Sequence, residues 1–295
     1  MSAGQVTMSS EDLRNFDYSR ADSIAIAFRP GKGKSSGEIT LGLVSQLQTD
    51  HEKFRVIFRW ISENISYKDH YYVTDPEKVL SKRKTVCSGY SSLLDRMCEH
   101  AGIECEVIIG FAKTNYRHIG VMPNESNHSW NAVRLYDQWY LCDATWATSS
   151  FSLDEKEHIK EFDENYFLSP PASFILQHFP DDSKWQLSDN HMSRSEFAAL
   201  PVFYSQFFNL KISGVEPLEG LVRARSGKNL TFDFNTSSSM GRASLRVNNE
   251  SIPGLISTGS EKQVITFQIP QSKGDRAATL FIGGKGIMVF KLRIV

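Results

Sequence analysis

The most regular feature of the chain is a three- and four-residue spacing of apolar positions in two stretches. From Asp50 to Asn64, residues Phe54, Val56, Ile57, Trp60 and Ile61 share one face, so the spacing predicts a helix with Asp50 as its N-cap. Residues 88–101 repeat the pattern with Tyr90, Leu93, Leu94, Met97 and Ala101, and Gly102 is the natural stop. Ahead of both, Ile39, Leu41, Leu43, Val44 and Leu47 suggest a shorter amphipathic helix after the loop-forming run 29–37. Residues 76–81 read as one helical turn, and 195–200 as a short helix ending at Pro201.

Elsewhere the period changes to two. Residues 105–111 are β-branched and apolar, 129–135 alternate, and 139–143 follow after a turn at Asp137-Gln138. A helix followed by an antiparallel sheet predicts an α+β core. Residues 151–210 mix aromatics, prolines and acids without a clear period. From Ser213-Gly214 onward the chain is short β-type runs, at 221–225, 230–234, 243–247, 263–269, 278–282 and 287–295, separated by turn residues. That spacing predicts a small all-β sandwich of immunoglobulin-like shape. The organisation expected is an N-terminal segment (1–45), an α+β domain (46–212) and a C-terminal β-sandwich (213–295).

Composition narrows the functions. Of 295 residues 40% are apolar and 23% charged, the balance of a globular protein, and the net charge is −1. That charge gives no general attraction to nucleic acid or to anionic membranes. No apolar run is long enough to cross a bilayer, and the polar start Met1-Ser2-Ala3-Gly4 lacks the marks of a secretion signal. A cytoplasmic location is the expectation, and the Asn-x-Ser/Thr triplets at Asn64, Asn229 and Asn235 are then chance matches. The four cysteines are too few for a disulfide scaffold and form no Cys-x-x-Cys pair, so reduced thiols, no metal and no cofactor are expected. The acids Asp154, Glu155, Glu157, Glu161, Asp163 and Glu164 lack a calcium-loop pattern and read as a solvated face.

One thiol stands out. Cys87, in Thr85-Val86-Cys87-Ser88-Gly89-Tyr90, sits where the second helix begins. The unpaired amides and positive end of a helix lower a thiol's pKa and supply a nucleophile near neutral pH. Taken alone, the same context more often marks a structural thiol packed at a helix start. His128 opens the strand at 129–135, from which an imidazole can take the thiol proton and return it to a leaving amine. Among eight histidines it carries little weight by itself. Asp143 ends the next strand, so the hairpin brings it beside His128, where a carboxylate holds the tautomer and stabilises the imidazolium. In isolation Asp143 reads as a cap or turn residue.

Taken together the three stretches resemble a known family. Cys-x-Gly-Tyr opening a helix (87–90), His-x-Trp-Asn-x-Val (128–133) and Trp-Tyr-x-x-Asp-Ala-Thr-Trp (139–146) are similar to the transglutaminase-like domain. The likeness covers about residues 50–150. The run 58–67 and the later pieces Tyr166-Phe167-Leu168, His178-Phe179-Pro180 and Trp185-Gln186-Leu187 resemble kyphoscoliosis-peptidase-type members, which extends the module to about 212. Such members often carry Asp directly after the tyrosine matching Tyr67; here Lys68 intervenes before Asp69.

The resemblance implies a Cys87–His128–Asp143 thiol site acting on a protein or peptide substrate. Hydrolysis of peptide or glutaminyl amide bonds through a Cys acyl-enzyme is the favoured reading. Acyl transfer to an amine, and a non-catalytic interaction protein, are the alternatives. The amide of Cys87 or Ser88 is one candidate oxyanion donor. Trp60, which reads first as core, and Tyr67 are upstream candidates. Lys82-Arg83-Lys84 is a basic run that either rims the cleft or is simply solvated, and Cys142 reads as core. The C-terminal β domain would bind or position a protein partner.

Overall fold

The computed structural model describes residues 8–148, 150–151, 158–159, 161–248 and 250–295. The chain divides into two compact units. The first comprises Met1–Phe111, Ser126–Phe174 and Pro180–Asp189; the second comprises Ala112–Glu125, Ile175–Phe179 and Asn190–Val295.

The first unit is helices packed on an antiparallel sheet. Its helices are α1 (Ser10–Arg14), α2 (Ser19–Ala27), α3 (Ser36–Val44), α4 (Asp50–Asn64), α5 (Pro76–Lys82), α6 (Cys87–His100) and α7 (Ala144–Thr148). Its strands include β1 (Ser66–Tyr67), β2 (Lys84–Thr85), β3 (Cys105–Ala112), β4 (His128–Leu135) and β5 (Gln138–Cys142).

α4 is enclosed: Phe54, Val56, Ile57, Phe58, Trp60 and Ile61 are fully buried. Its cap lies one residue earlier than the spacing suggests. Thr49 is the N-cap, and its N–H donates to the Glu52 carboxylate at 3.3 Å, a capping box that leaves Asp50 inside the first turn. The enclosure reaches Arg55, 2% exposed, whose guanidinium donates to both oxygens of Asp22 (2.6 and 2.7 Å) and to Glu164, and lies over the rings of Tyr18, Phe162 and Phe167. Asp22 belongs to α2, so this ion pair, with buried Ala21 and Ala25, docks α2 on α4.

α6 begins at Cys87 and ends where Gly102 takes a left-handed conformation (φ 73°). It packs against α3, α4, α5, α7 and β4. In the sheet, β4 lies between β3 and β5, with Gly110 opposite His128 and Leu135 opposite Gln138. The hairpin turn is Tyr136-Asp137, one residue earlier than expected. Both residues have positive φ (50° and 60°), the two-residue geometry that matches strand twist. A tyrosine is tolerated there because its hydroxyl hydrogen-bonds Nδ1 of His51 at 2.6 Å.

In the second unit, antiparallel pairing dominates a nine-stranded arrangement that curls on itself. Its strands include Gly214–Glu216, Asn229–Asn235, Lys262–Gln268, Ala243–Val247, Gly274–Ile282 and Lys285–Ile294. Leu245, Phe232, Phe234, Ile265, Phe267, Leu280, Phe290 and Leu292 are buried in its core. The sequence reading missed the strand Glu250–Thr258, because Pro253-Gly254 reads as a breaker. Those residues are where the strand changes partner: Pro253 pairs with Ser244, whereas Gly254 pairs with Phe267. A Cβ at Gly254 would lie 2.6 Å from the Phe267 ring, so glycine permits the crossing. Lys113 is buried, and its ammonium donates to the carbonyls of Phe197, Ala198 and Leu200, closing the end of the helix Arg194–Ala199.

Candidate active site

The structure brings Cys87, His128 and Asp143 together in the first unit. Cys87 occupies the first helical position of α6, half-buried, with Val86 as N-cap. Val86 has no side-chain oxygen, so it cannot cap the opening amides of the helix. His128 and the backbone amide of Ser129 both act on the Cys87 thiol to lower its pKa, by hydrogen bonding and, for His128, by charge. His128 Nε2 lies 2.7 Å from Asp143 Oδ2; the His128 side chain is 7% exposed and that of Asp143 fully buried. With Nε2 engaged by the carboxylate, Nδ1 is the ring nitrogen that serves the sulfur.

Asp143 performs the capping duty that its position suggests as well. Its Oδ1 accepts from the amides of Thr145 (2.8 Å) and Trp146 (3.1 Å), opening α7, while Oδ2 holds the histidine. The regular β4–β5 pairing ends at Asn131 opposite Cys142, so His128 meets Asp143 on a diagonal rather than directly across. Trp146 and Trp130 flank the imidazole, with ring centroids 5.5 and 6.0 Å away.

Electrostatics couples the three groups. Burial by itself raises the Cys87 pKa, but the hydrogen bond and charge of His128 and the Ser129 amide outweigh it, and the net shift is downward. Burial likewise opposes a charge on His128, yet the Asp143 carboxylate and then the Cys87 sulfur overcome it and push the imidazole up to about 10. Both shifts favour a thiolate–imidazolium pair at neutral pH.

Two further contacts support this geometry. Ser91 Oγ and Ser129 Oγ are 3.0 Å apart and buried, and Asn131 Nδ2 donates to the Ser91 carbonyl at 3.1 Å. These contacts tie α6, one turn after Cys87, to β4 just after His128. Gly89 is the second: a Cβ there would lie 2.1 Å from Thr85 Oγ1 and 2.3 Å from the Val73 carbonyl oxygen. Only a glycine lets β2 and the loop before α5 press on the first turn of α6.

The other candidates separate clearly. Trp60 is wholly buried, with the Arg83 guanidinium 4.9 Å from its ring, and packs in the core. Tyr67 is half-buried and its phenol donates to Asp69, so the acid displaced by Lys68 still reaches the tyrosine. Burial first, then the charges of Asp69 and Cys87, raise the Tyr67 pKa and keep the phenol protonated. Cys142 is fully buried in the core, as read. Of the acidic stretch, Asp154, Glu155 and Glu157 lie outside the described residues, while Asp163 accepts from the Asn165 amide and Glu164 holds Arg55. A groove of about 780 Å³ in the second unit, with Leu221, Asp275, Lys291 and Arg293 on its walls, includes none of Cys87, His128 and Asp143.

The profile of the transglutaminase-like superfamily matches residues 38–144, the stretch that holds Cys87, His128 and Asp143. The chain belongs to the transglutaminase-like superfamily. It is 32% identical to kyphoscoliosis peptidase of Mus musculus over 225 residues, 74% of this chain and 33% of that protein. Identity to kyphoscoliosis peptidase of Homo sapiens is 33% over 199 residues, 65% of this chain and 30% of that protein. Hillarin of Drosophila melanogaster is 31% identical over 209 residues, 65% of this chain and 25% of that protein. The matched region thus spans a third or less of the length of these transglutaminase-like relatives. The likeness to kyphoscoliosis-peptidase-type members read from the sequence is borne out.

Proposed function

We propose that this transglutaminase-like chain is a thiol hydrolase acting on peptide or glutaminyl amide bonds of a protein substrate. The observation that carries the reading is one imidazole, His128, joined to a buried carboxylate at 2.7 Å and to the thiol of Cys87. In the first step the Cys87 thiolate attacks the carbonyl carbon and the C–N bond breaks. His128 gives its Nδ1 proton to the departing amine, which leaves a thioester on Cys87. Water then attacks the thioester while His128 takes its proton, and Cys87 leaves as the thiolate. Asp143 keeps the imidazole oriented and stabilises its charge throughout. The amide of Cys87 or Ser88, in the opening turn of α6, is the candidate donor to the developing oxyanion.

The test is a casein-type substrate incubated with a labelled primary amine and read by mass spectrometry. New termini or deamidation without incorporation support hydrolysis. Incorporation of the amine moves the assignment to acyl transfer, whose chemistry is the same as far as the thioester. A folded protein that gives neither product is an interaction protein on this scaffold.

In this reading residues 46–212 form the catalytic module and 213–295 an immunoglobulin-like module that positions a protein partner. The setting is cytoplasmic, in keeping with four free cysteines. Among the described residues no helix is long and apolar enough to cross a membrane.

A further inference from the structure

The ribbon leading into Cys87 carries a cationic and aromatic surface that the proposed chemistry does not use. β1 and β2 pair in parallel, Ser66 opposite Lys84 and Tyr67 opposite Thr85. Residues of one pair, and those two apart on a strand, share a face, which puts Lys84, Ser66 and the following Lys68 on the side away from Tyr67 and Thr85. Lys68, His70 and Lys82 are exposed; Lys84 lies 5.1 Å from the Tyr71 ring centre; Tyr72 is 74% exposed.

The exposed tyrosine is held out on an anchored loop. Lys68 N–H donates to the Thr85 carbonyl (2.9 Å), Tyr71 N–H to that of Lys68 (3.3 Å), Val73 N–H to that of Tyr71 (2.9 Å), and Thr85 Oγ1 to that of Val73 (2.5 Å). The local carboxylates are committed elsewhere: Asp69 to the Tyr67 phenol, Asp75 to the Lys78 amide and Glu77 to Ser36. By contrast Lys68, Lys82 and Lys84 form no ion pair among the described residues. Between Ser66 and Cys87 the sequence has five Lys or Arg against three Asp or Glu, in a chain whose net charge is −1.

We infer that this outer face of the ribbon entering Cys87 binds an acidic, aromatic-tolerant segment of the peptide substrate beside the Cys87 site. The substrate role rests on the hydrolase reading above; the electrostatic part does not. Cys87 lies three positions after Lys84, so their Cα atoms are at most about 11 Å apart. That distance is well within the ~30 Å screening length at 0.01 M salt and well outside the ~3 Å length at 1 M.

Iodoacetate and iodoacetamide alkylate a thiolate by the same displacement of iodide and differ in charge. Their rate ratio at Cys87, followed by peptide mapping and normalised to N-acetylcysteine amide, reads the field at the sulfur. The ratio is expected to favour iodoacetate by about threefold or more in 0.01 M salt, to fall towards one in 1 M salt, and to fall likewise in Lys68→Glu/Lys82→Glu. In the second arm, a Glu- and Tyr-rich dodecapeptide slows alkylation of Cys87 by iodoacetamide, and its Lys-for-Glu counterpart does not. A ratio of one at low salt in the folded wild type overturns the inference. Equal protection by the two peptides, or protection by a single-stranded oligonucleotide equal to that by the acidic peptide, overturns the peptide assignment. If Cys87 is no more reactive than a free thiol while the ratio stays high, the hydrolase reading fails and the anion-selective face stands.

Discussion

His128 Nε2 and Asp143 Oδ2 meet at 2.7 Å where β4 begins and β5 has just ended, with the carboxylate wholly buried. The second oxygen of Asp143 caps α7. One side chain therefore orients the imidazole and starts a helix, and its own position is held by backbone amides on one side and a ring nitrogen on the other. That arrangement fixes which face of His128 is presented to Cys87.

The first prediction concerns the thiol. Iodoacetamide alkylation of Cys87 against pH should show its inflection below that of an ordinary thiol, about 8.5. At pH 6 the reaction should run about tenfold faster than with free cysteine. A rate equal to that of free cysteine at pH 6 would remove the activated nucleophile. Cys87→Ala should abolish turnover with an unchanged circular dichroism spectrum; loss of the spectrum would assign Cys87 a structural duty instead.

Asp143→Asn separates orientation from capping, since asparagine also caps helices. The alkylation inflection of Cys87 should move up, because the imidazolium that stabilises the thiolate loses its carboxylate. Turnover should fall by about 10²-fold or more. Asp143→Ala should lose a further ~1 kcal/mol of stability through the missing cap, measurable by urea unfolding. An unchanged alkylation profile in Asp143→Asn would mean that the carboxylate serves α7 alone.

The same pair predicts a stability window. The His128 pKa is raised in the folded state, so its charged form stabilises the fold below the unfolded value near 6.5, and this contribution disappears as pH rises through about 10. The difference in Tm between wild type and Asp143→Asn should therefore narrow between pH 7 and pH 10.5. A difference that stays constant, or widens, across that range contradicts the coupling.

Gly89→Ala tests the wall beside the thiol. The added methyl would sit 2.1 Å from Thr85 Oγ1 and 2.3 Å from the Val73 oxygen, and a backbone carbonyl has little room to move. A loss of about 1–3 kcal/mol is expected, with slower turnover because the start of α6 must shift. Wild-type stability and activity in this variant would show that the loop yields freely.

Arg55→Met tests the core. Removing the guanidinium strands Asp22 against α4, whereas the more exposed Glu164 can turn to solvent. The expected loss is about 3 kcal/mol by denaturant titration. A variant as stable as wild type would show that packing of the Met side chain replaces the ion-pair network.

Much of this was legible along the chain. The period of the apolar residues located α4 and α6, because a helix that must bury one stripe repeats it every three to four positions. Cys87 at the head of α6, and His128 and Asp143 at strand ends, were readable because pattern boundaries mark element ends. Where the reading slipped, tertiary context had overridden a local rule. Tyr136 holds a left-handed turn because His51 binds its hydroxyl, and Pro253-Gly254 lies in a strand because that strand changes partners there.

The sequence by itself determined the family, the α+β order of the core and the three residues worth watching. Only the tertiary structure decided that Asp143 reaches His128 on a diagonal, that the Ser129 amide helps lower the Cys87 pKa, and that Ser91 and Ser129 clamp the two elements. The physical reason is range: helix and strand periods are set by neighbours a few residues apart, whereas a 2.7 Å contact between residues 15 apart depends on turn geometry, twist and packing acting together.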